Sequence, residues 1–171
     1  MIGDDRFAVF RTGPSKSREA FLSVLRAGHT DYVVNTAALD YMRGHSLSGP
    51  VVAQLDAHPA KRFADTSAWS AHLARLGIDA LAITPDPVQV ASEGALWGAV
   101  CHHGLLTEAV IVSDDAGQFR MGLHALCWIH AERLVHKLVP ATPEQRRAVE
   151  VTRLLIWCWC RRPPAASGVQ K

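Results

Sequence analysis

The sequence lacks the marks of several large protein classes. It has no run of about 18 apolar residues, the length that a membrane-spanning helix requires, so we expect no membrane partner. The first five residues, MIGDD, are acidic and contain no apolar signal-peptide core, which predicts a cytoplasmic protein. The 4 cysteines show no disulfide framework and are interpreted as reduced thiols.

Strong charge is also missing. Charged residues make up 20% of the 171 residues, and the net charge is only +2. Contact with nucleic acid is permitted but not indicated, because a dedicated DNA-binding domain is usually more basic. Hydrophobic residues make up 49%, which is enough for one globular domain over residues 1–160. Residues 161–171 are a low-complexity stretch that we expect to be disordered.

Capping residues followed by apolar periodicity predict most of the helices. The candidate caps, in chain order, are Ser15 or Ser17, Asn35 or Thr36, Asp65 and Thr142. At the last of these, Pro143 and Gln145 complete a capping box for a helix that runs to about Trp159. Further helices are predicted over 51–57, 88–103 and from Cys127 to Leu138. Small residues in the helix over 88–103 should allow close helix packing, and Glu93 within it is expected to be exposed.

Short β-branched or aromatic runs bounded by turn residues predict the strands. These runs are Phe7–Phe10, Tyr32–Val34, Leu81–Ile83 and Ala109–Val112. The last run is the most apolar, and we expect it to be a buried strand.

Asp114 and Asp115 stand at the end of this last strand, just before a turn at Gly117. Carboxylates at the carboxyl end of a strand lie where α/β folds place ligands and metals. Adjacent side chains on an extended chain point to opposite faces, so only one of the pair can face a given site. Such a carboxylate suits a hard divalent cation. An Asx-type turn, in which the side chain bonds nearby amides, would explain it without a metal.

Two further patterns carry weaker signals. His130, Arg133 and Lys137 lie on one side of a predicted helix at i, i+3 and i+7, a stripe suited to phosphate contact or simply to solvent. Cys127 and His130 have C-x-x-H spacing, and Cys158 and Cys160 could complete a zinc site, although core or surface roles explain each of them better. His102 and His103 beside Cys101 form a still weaker pattern.

The strings VSDDAGQF (112–119) and HALCWIHAERLVHKL (124–138), followed by a helix that reaches LLIW, resemble part of a bacterial insertion-sequence transposase. The chain is similar to DDE transposases of the insertion-sequence-sixty-six type, in which a strand ending in Asp precedes a C-W-x-H-A-x-R helix. The segment over 3–35 also resembles the early catalytic domain of these proteins. The resemblance covers nearly all of residues 1–157.

The resemblance implies an α/β fold: a partial RNase H-like mixed sheet with flanking helices and a helical insertion at about 35–104. It implies DNA strand cleavage and transfer by an Asp-Asp-Glu triad that binds Mg²⁺ or Mn²⁺. Asp114 matches the second carboxylate and metal ligand, with Asp115 as the alternative. His130, Arg133 and Lys137 would then contact DNA. Transposon-end DNA and a second copy or full-length transposase are the implied partners.

The chain departs from the family at the other two carboxylates. The family's first Asp lies on a strand before the segment that resembles RFAVF, and its Glu lies beyond the helix that ends near Trp159. We therefore expect a truncated fragment that is inactive alone. The rivals are a non-catalytic protein that binds DNA or transposase, and an unrelated metal-dependent enzyme that combines Asp114 with Asp31 or Glu93.

Overall fold

The computed structural model describes residues 2–3, 8–9, 15–106, 109–114 and 116–160. Over these residues the chain is a mixed α/β protein, which agrees with the predicted α/β class. The strands are β1 (Ile2–Gly3), β2 (Ala8–Val9), β3 (Tyr32–Val33), β4 (Arg62–Phe63), β5 (Val110–Ser113) and β6 (Leu123–Leu126). The helices are α1 (Arg18–Leu25), α2 (Thr36–Gly44), α3 (Gly49–Ala57), α4 (Thr66–Arg75), α5 (Pro87–His102), α6 (Trp128–His136) and α7 (Pro143–Cys160), and Gly117–Phe119 forms a 3-10 turn.

The strands pair two by two. β1 with β2 and β3 with β4 are antiparallel, whereas β5 and β6 are parallel, from Val110 opposite Leu123 to Ser113 opposite Leu126. The chain groups into two compact units. The first unit is Met1–Ala109 with Gly117–Phe119, and the second unit is Val110–Ala116 with Arg120–Lys171. The boundary expected at residue 160 stays a prediction.

Local signals placed the helix starts correctly. The confirmed caps, each accepting a hydrogen bond from the amide three residues on, are Ser17, Asn35, Asp65 and Thr142. These bonds satisfy amides that have no partner inside the helix. In a capping box at Thr142, the side chain of Gln145 would accept from the amide of Thr142. Gln145 Oε1 instead accepts from the amide of Ala141 at 2.8 Å, one residue earlier.

The core of the first unit forms around α5, and glycines bring the chain close there. A Cβ added to Gly98 would lie 2.1 Å from the carbonyl oxygen of Val33, so only glycine fits at that crossing. A Cβ on Gly94 would lie 2.7 Å from Cγ of Met42. The predicted close packing of this helix is therefore confirmed. The largest fully buried side chains of this core include Trp69, Leu22, Met42, Leu55, Leu73 and Leu96.

Two strand predictions were wrong in part. Leu81–Ile83 is irregular rather than a strand, and Leu81 and Ile83 are both exposed, because no strand among the described residues pairs with this run. β5 forms where expected, but it is not buried: Val110 is 54% and Val112 is 61% exposed.

Two other predictions concern residues that the structure does not describe. Phe7 and Phe10, at the ends of the first predicted strand, and the predicted tail over 161–171 lie outside the described residues. Within the described part of the chain, no helix combines the length and apolar character needed to cross a membrane.

Candidate functional site

The carboxyl ends of β5 and β6 form the edge at which the sequence predicted a site. Because the two strands are parallel, both end on this edge, β5 at Ser113 and β6 at Leu126. Asp114 follows β5 directly, and Cys127 follows β6 as the residue that precedes α6. The amide of Cys127 donates to the carbonyl of Ser113 at 2.7 Å. Asp114 and the start of α6 are therefore held next to each other.

Asp114 is exposed, and its Oδ1 accepts a hydrogen bond from the amide of Ala116 at 3.3 Å. This is the Asx-type turn that stood as the alternative to a metal ligand. The turn uses one carboxylate oxygen. Asp115, the other candidate, lies outside the described residues.

The donor set around Asp114 does not fit a two-metal centre by itself. Over the part of the chain that the structure describes, three or more His, Cys, Asp or Glu ligand atoms lie within 4.8 Å of one another only at His29, Asp31 and His103. Asp114 is not in that group. Mg²⁺ or Mn²⁺ at Asp114 would need further carboxylates. The described residues do not assemble the zinc site considered around Cys127 and His130 either.

A serine and a histidine also meet on this strand pair. Ser113 Oγ lies 2.8 Å from His124 Nε2, joining the end of β5 to the middle of β6. From the sequence, Asp114, His124 and a serine such as Ser113 do not make a convincing hydrolase arrangement. The structure brings Ser113 and His124 together as a link between the strands, one residue before Asp114.

The predicted basic stripe on α6 divides into a shielded part and an exposed part. Nδ1 of His130 is shielded from solvent and has no hydrogen-bond partner among the described residues. Arg133 and Lys137 are exposed, so they are available to a phosphate group. Directly before Arg133, Glu132 is buried and accepts from Arg153 Nε of α7 at 2.6 Å, a bond that joins the two helices.

The first unit contains a buried acidic network that the sequence did not predict. Glu93 was expected to be exposed, but it is only 3% exposed. Tyr41 Oη donates to Glu93 Oε2 at 2.6 Å, and Arg18 Nη1 lies 3.3 Å from the same oxygen. Gln89 Nε2 donates to the other oxygen, Oε1, at 3.0 Å. Burial and then the bond to Glu93 raise the pKa of Tyr41 well above its usual value. Of these contacts, the i, i+4 spacing of Gln89 and Glu93 was the one visible in the sequence.

Comparison with known proteins finds one strong similarity. The chain is 50% identical over 161 residues to "Uncharacterized protein y4jO" of Sinorhizobium fredii. The match covers 94% of this chain and 50% of that relative, so the chain spans about half of the relative's length. No protein-family profile matches the chain, and no solved structure matches it.

Proposed function

We propose that this chain is part of the catalytic domain of an insertion-sequence DDE transposase, in which Asp114 supplies the second carboxylate. The observation that carries the proposal is the geometry of β5 and β6. A carboxylate follows a strand whose parallel neighbour leads directly into the helix bearing CWIHAER. An RNase H-like site gathers its carboxylates at strand ends of this kind, where ligands bind in α/β sheets.

The exposed side chains of the parallel pair support an RNase H-like sheet. Val110 and Val112 point to one face of β5 and are more than half exposed, and Leu123 and Leu126 of β6 are 60% and 57% exposed. Parallel strands are normally covered on both faces. Apolar side chains gathered in this way mark a surface that packs against other protein. We propose that the remainder of an RNase H-like sheet and its helices cover these strands.

The proposed activity belongs to the assembled domain. One carboxylate does not bind the two metal ions that in-line phosphoryl transfer requires. The 171-residue chain alone should therefore leave DNA uncut, in the cytoplasm or in a test tube. Cleavage and transfer of transposon-end DNA would begin only when two further carboxylates, from a longer chain or from a full-length transposase, join Asp114 with Mg²⁺ or Mn²⁺.

The test uses the longer relative as a scaffold. The 161 matched residues of this chain would replace the corresponding half of y4jO, and purified y4jO and the chimera would be incubated with supercoiled plasmid and Mn²⁺. We expect both proteins to nick the plasmid and Asp114→Asn to abolish nicking by the chimera. Asparagine keeps an oxygen that can accept from Ala116, so the turn should survive the substitution.

Asp40→Asn is the matched control, because Asp40 is an exposed carboxylate of α2 paired only with Arg43 on the surface. Nicking should survive in this variant. Nicking that persists in Asp114→Asn would refute the role of Asp114, and y4jO and chimera that both leave DNA intact would refute the transposase proposal.

A second candidate function is DNA binding without catalysis. The exposed Arg133 and Lys137 of α6 favour it, as do Arg146 and Arg147, which line a cavity of ≈ 410 Å³ at the start of α7. Gel-shift titration of the 171-residue chain with transposon-end DNA, at low and raised salt, would test it. Phosphate-driven binding should weaken steeply with salt and fall in Arg133→Ala, whereas an unchanged mobility at low salt would exclude it.

A further inference from the structure

A second cluster of chemically active side chains lies in the first unit, away from Asp114 in the sequence. It joins His29 and Asp31, which precede β3, to His103, which follows α5. One ligand atom from each side chain lies within 4.8 Å of the other two. His29 is exposed, His103 is partly buried and Asp31 is 5% exposed, so the group opens to solvent on one side.

Two side-chain hydrogen bonds to backbone carbonyls fix the loop that carries His29 and Asp31. Arg26 Nη1 donates to the carbonyl of Asp31 at 2.9 Å, and Thr30 Oγ1 donates to the carbonyl of Ala64 at 2.9 Å. His29 and Asp31 are two residues apart, which places their side chains on the same side of an extended chain. The backbone that carries the two ligands is therefore fixed before any ion arrives, so binding would cost little ordering of the loop beyond a turn of the exposed His29 side chain.

The carboxylate of Asp31 has two partners. Arg62 Nε donates to Oδ2 at 2.8 Å, while His103 Nε2 lies 2.9 Å from Oδ1 and 3.1 Å from Oδ2. Metal-binding carboxylates are themselves commonly held by such an outer hydrogen bond.

The two histidine rings stand face to face. The centroids of His29 and His103 are 3.7 Å apart and the rings are 13° from parallel. Because nearly parallel rings hold their nitrogen lone pairs in separate planes, the two rings cannot both bind one cation while they are stacked, and the exposed His29 ring would turn out of the stack to bind it. The rings and the carboxylate together supply two nitrogen donors and one oxygen donor.

We propose that His29, Asp31 and His103 form a Zn²⁺ site with an open fourth position. Zinc takes histidine nitrogen and aspartate oxygen in a four-coordinate arrangement, and three protein ligands leave one position for water or another small ligand. His29 and Asp31 also line a cavity of ≈ 580 Å³ together with Arg62, which gives an ion and its fourth ligand access from solvent. Arg62 stays on Oδ2 and orients the carboxylate. The zinc proposal does not depend on the proposed function, because His29, Asp31 and His103 belong to the first unit whereas Asp114 belongs to the second.

The test is titration of the full 171-residue chain, freed of metal with a chelator, with Zn²⁺ in a calorimeter. Co²⁺ would be the spectroscopic probe, since its visible absorption reports the geometry of the ligands. We expect one ion per chain at this site and a four-coordinate cobalt spectrum. Loss of a residue that only supports a metal ligand weakens metal binding roughly 10- to 100-fold. His29→Ala removes a ligand itself, so it should weaken Zn²⁺ binding by at least that factor.

His102→Ala is the matched control, because His102 is exposed and adjacent to His103 but lies outside the cluster. Its affinity and cobalt spectrum should match those of the parent. Exposed His29 can be replaced without disturbing the core, and an unchanged thermal melt of the chelated protein would verify this. Absence of micromolar Zn²⁺ binding, or binding and a cobalt spectrum that survive His29→Ala, would overturn the proposal and leave a metal-free ion-pair cluster of Asp31, Arg62 and His103.

Discussion

The two units of this chain treat their apolar side chains in opposite ways. In the first unit, Trp69 and Leu96 are almost fully buried, and Trp69 Nε1 donates to Ser92 Oγ at 2.9 Å, so even the polar atom of a core residue is satisfied. In the second unit, the large apolar side chains are mostly exposed, among them Val112, Leu134, Leu138, Leu154 and Trp157. Met121 and Ile156 are the buried hydrophobic residues described there.

The difference shows where each unit gains its stability. The first unit covers most of its own apolar surface, and it also pairs buried charges, since Glu93 meets Arg18 and Asp31 meets Arg62. The second unit has well-formed helices and a parallel strand pair, but it leaves apolar surface that would be costly in water. This difference agrees with the proposal that the second unit is one part of a larger sheet.

The largest effect should come from Glu93→Ala in the first unit. The substitution removes the acceptor of bonds from Tyr41, Arg18 and Gln89, and breaking a buried ion pair in this way costs about 3–5 kcal/mol. Urea unfolding followed by circular dichroism would measure the loss. Glu19→Ala, on the exposed face of α1, is the control and should cost about 1 kcal/mol or less. Equal costs for the two variants would refute the buried network.

A smaller loss is expected for Gly98→Ala. The new Cβ would meet the carbonyl of Val33, which is backbone and cannot turn aside, so α5 and β3 must separate at a cost of about 1–3 kcal/mol. The same unfolding experiment would measure it. Gly44→Ala has no atom within 4 Å of the added Cβ and should not lower stability measurably. A stable Gly98→Ala variant would show that the helix crossing is looser than described.

Short-range signals made most of the first unit predictable. A cap and its amide partner are three residues apart, so Ser17, Asn35 and Asp65 could be found from the sequence. β4 was missed because a two-residue strand has no period, and it is defined only by pairing with β3 across 29 or more residues. Leu81–Ile83 had the composition of a strand but has no partner strand in the part of the chain that the structure describes.

The chemistry was predicted only where it was local. The position of Asp114 after a strand followed from the run VIVSD, whereas β6 was not expected. Glu93 was misjudged because Tyr41 and Arg18 approach it from 52 and 75 residues away. The cluster of Asp31 and His103 joins residues 72 apart, and the spacing of His29 and Asp31 was the single sign of it in the sequence.

The free energy of unfolding in acid should depend on Asp31, with a smaller effect than that of Gly98→Ala. The folded-state pKa of Asp31 lies below its ordinary value of 3.8. Its ionic contribution is therefore present above that value and is lost as pH falls through the folded pKa. In chelated protein, Asp31→Asn should lower the free energy of unfolding near neutral pH, and the gap from the parent should shrink in strong acid. A gap that does not change with pH would contradict this assignment.

The smallest effect is expected in the second unit. Val112→Thr places a hydroxyl on a side chain that is 61% exposed and should change stability by less than about 0.5 kcal/mol. Val33→Thr makes the same change at a position that is 5% exposed and should cost about 1–3 kcal/mol. Thermal and urea unfolding of both variants would compare the units directly. Similar costs would mean that β5 is covered in solution.

The most direct test of the transposase proposal is to sequence the DNA on both sides of this reading frame and translate it in all frames. The proposal predicts an Asp-bearing strand segment upstream and a Glu-bearing helical segment downstream, between inverted repeats. Asp114 would then be the middle carboxylate of one site. Unrelated genes on both sides, without such segments or repeats, would contradict the proposal and favour the DNA-binding function.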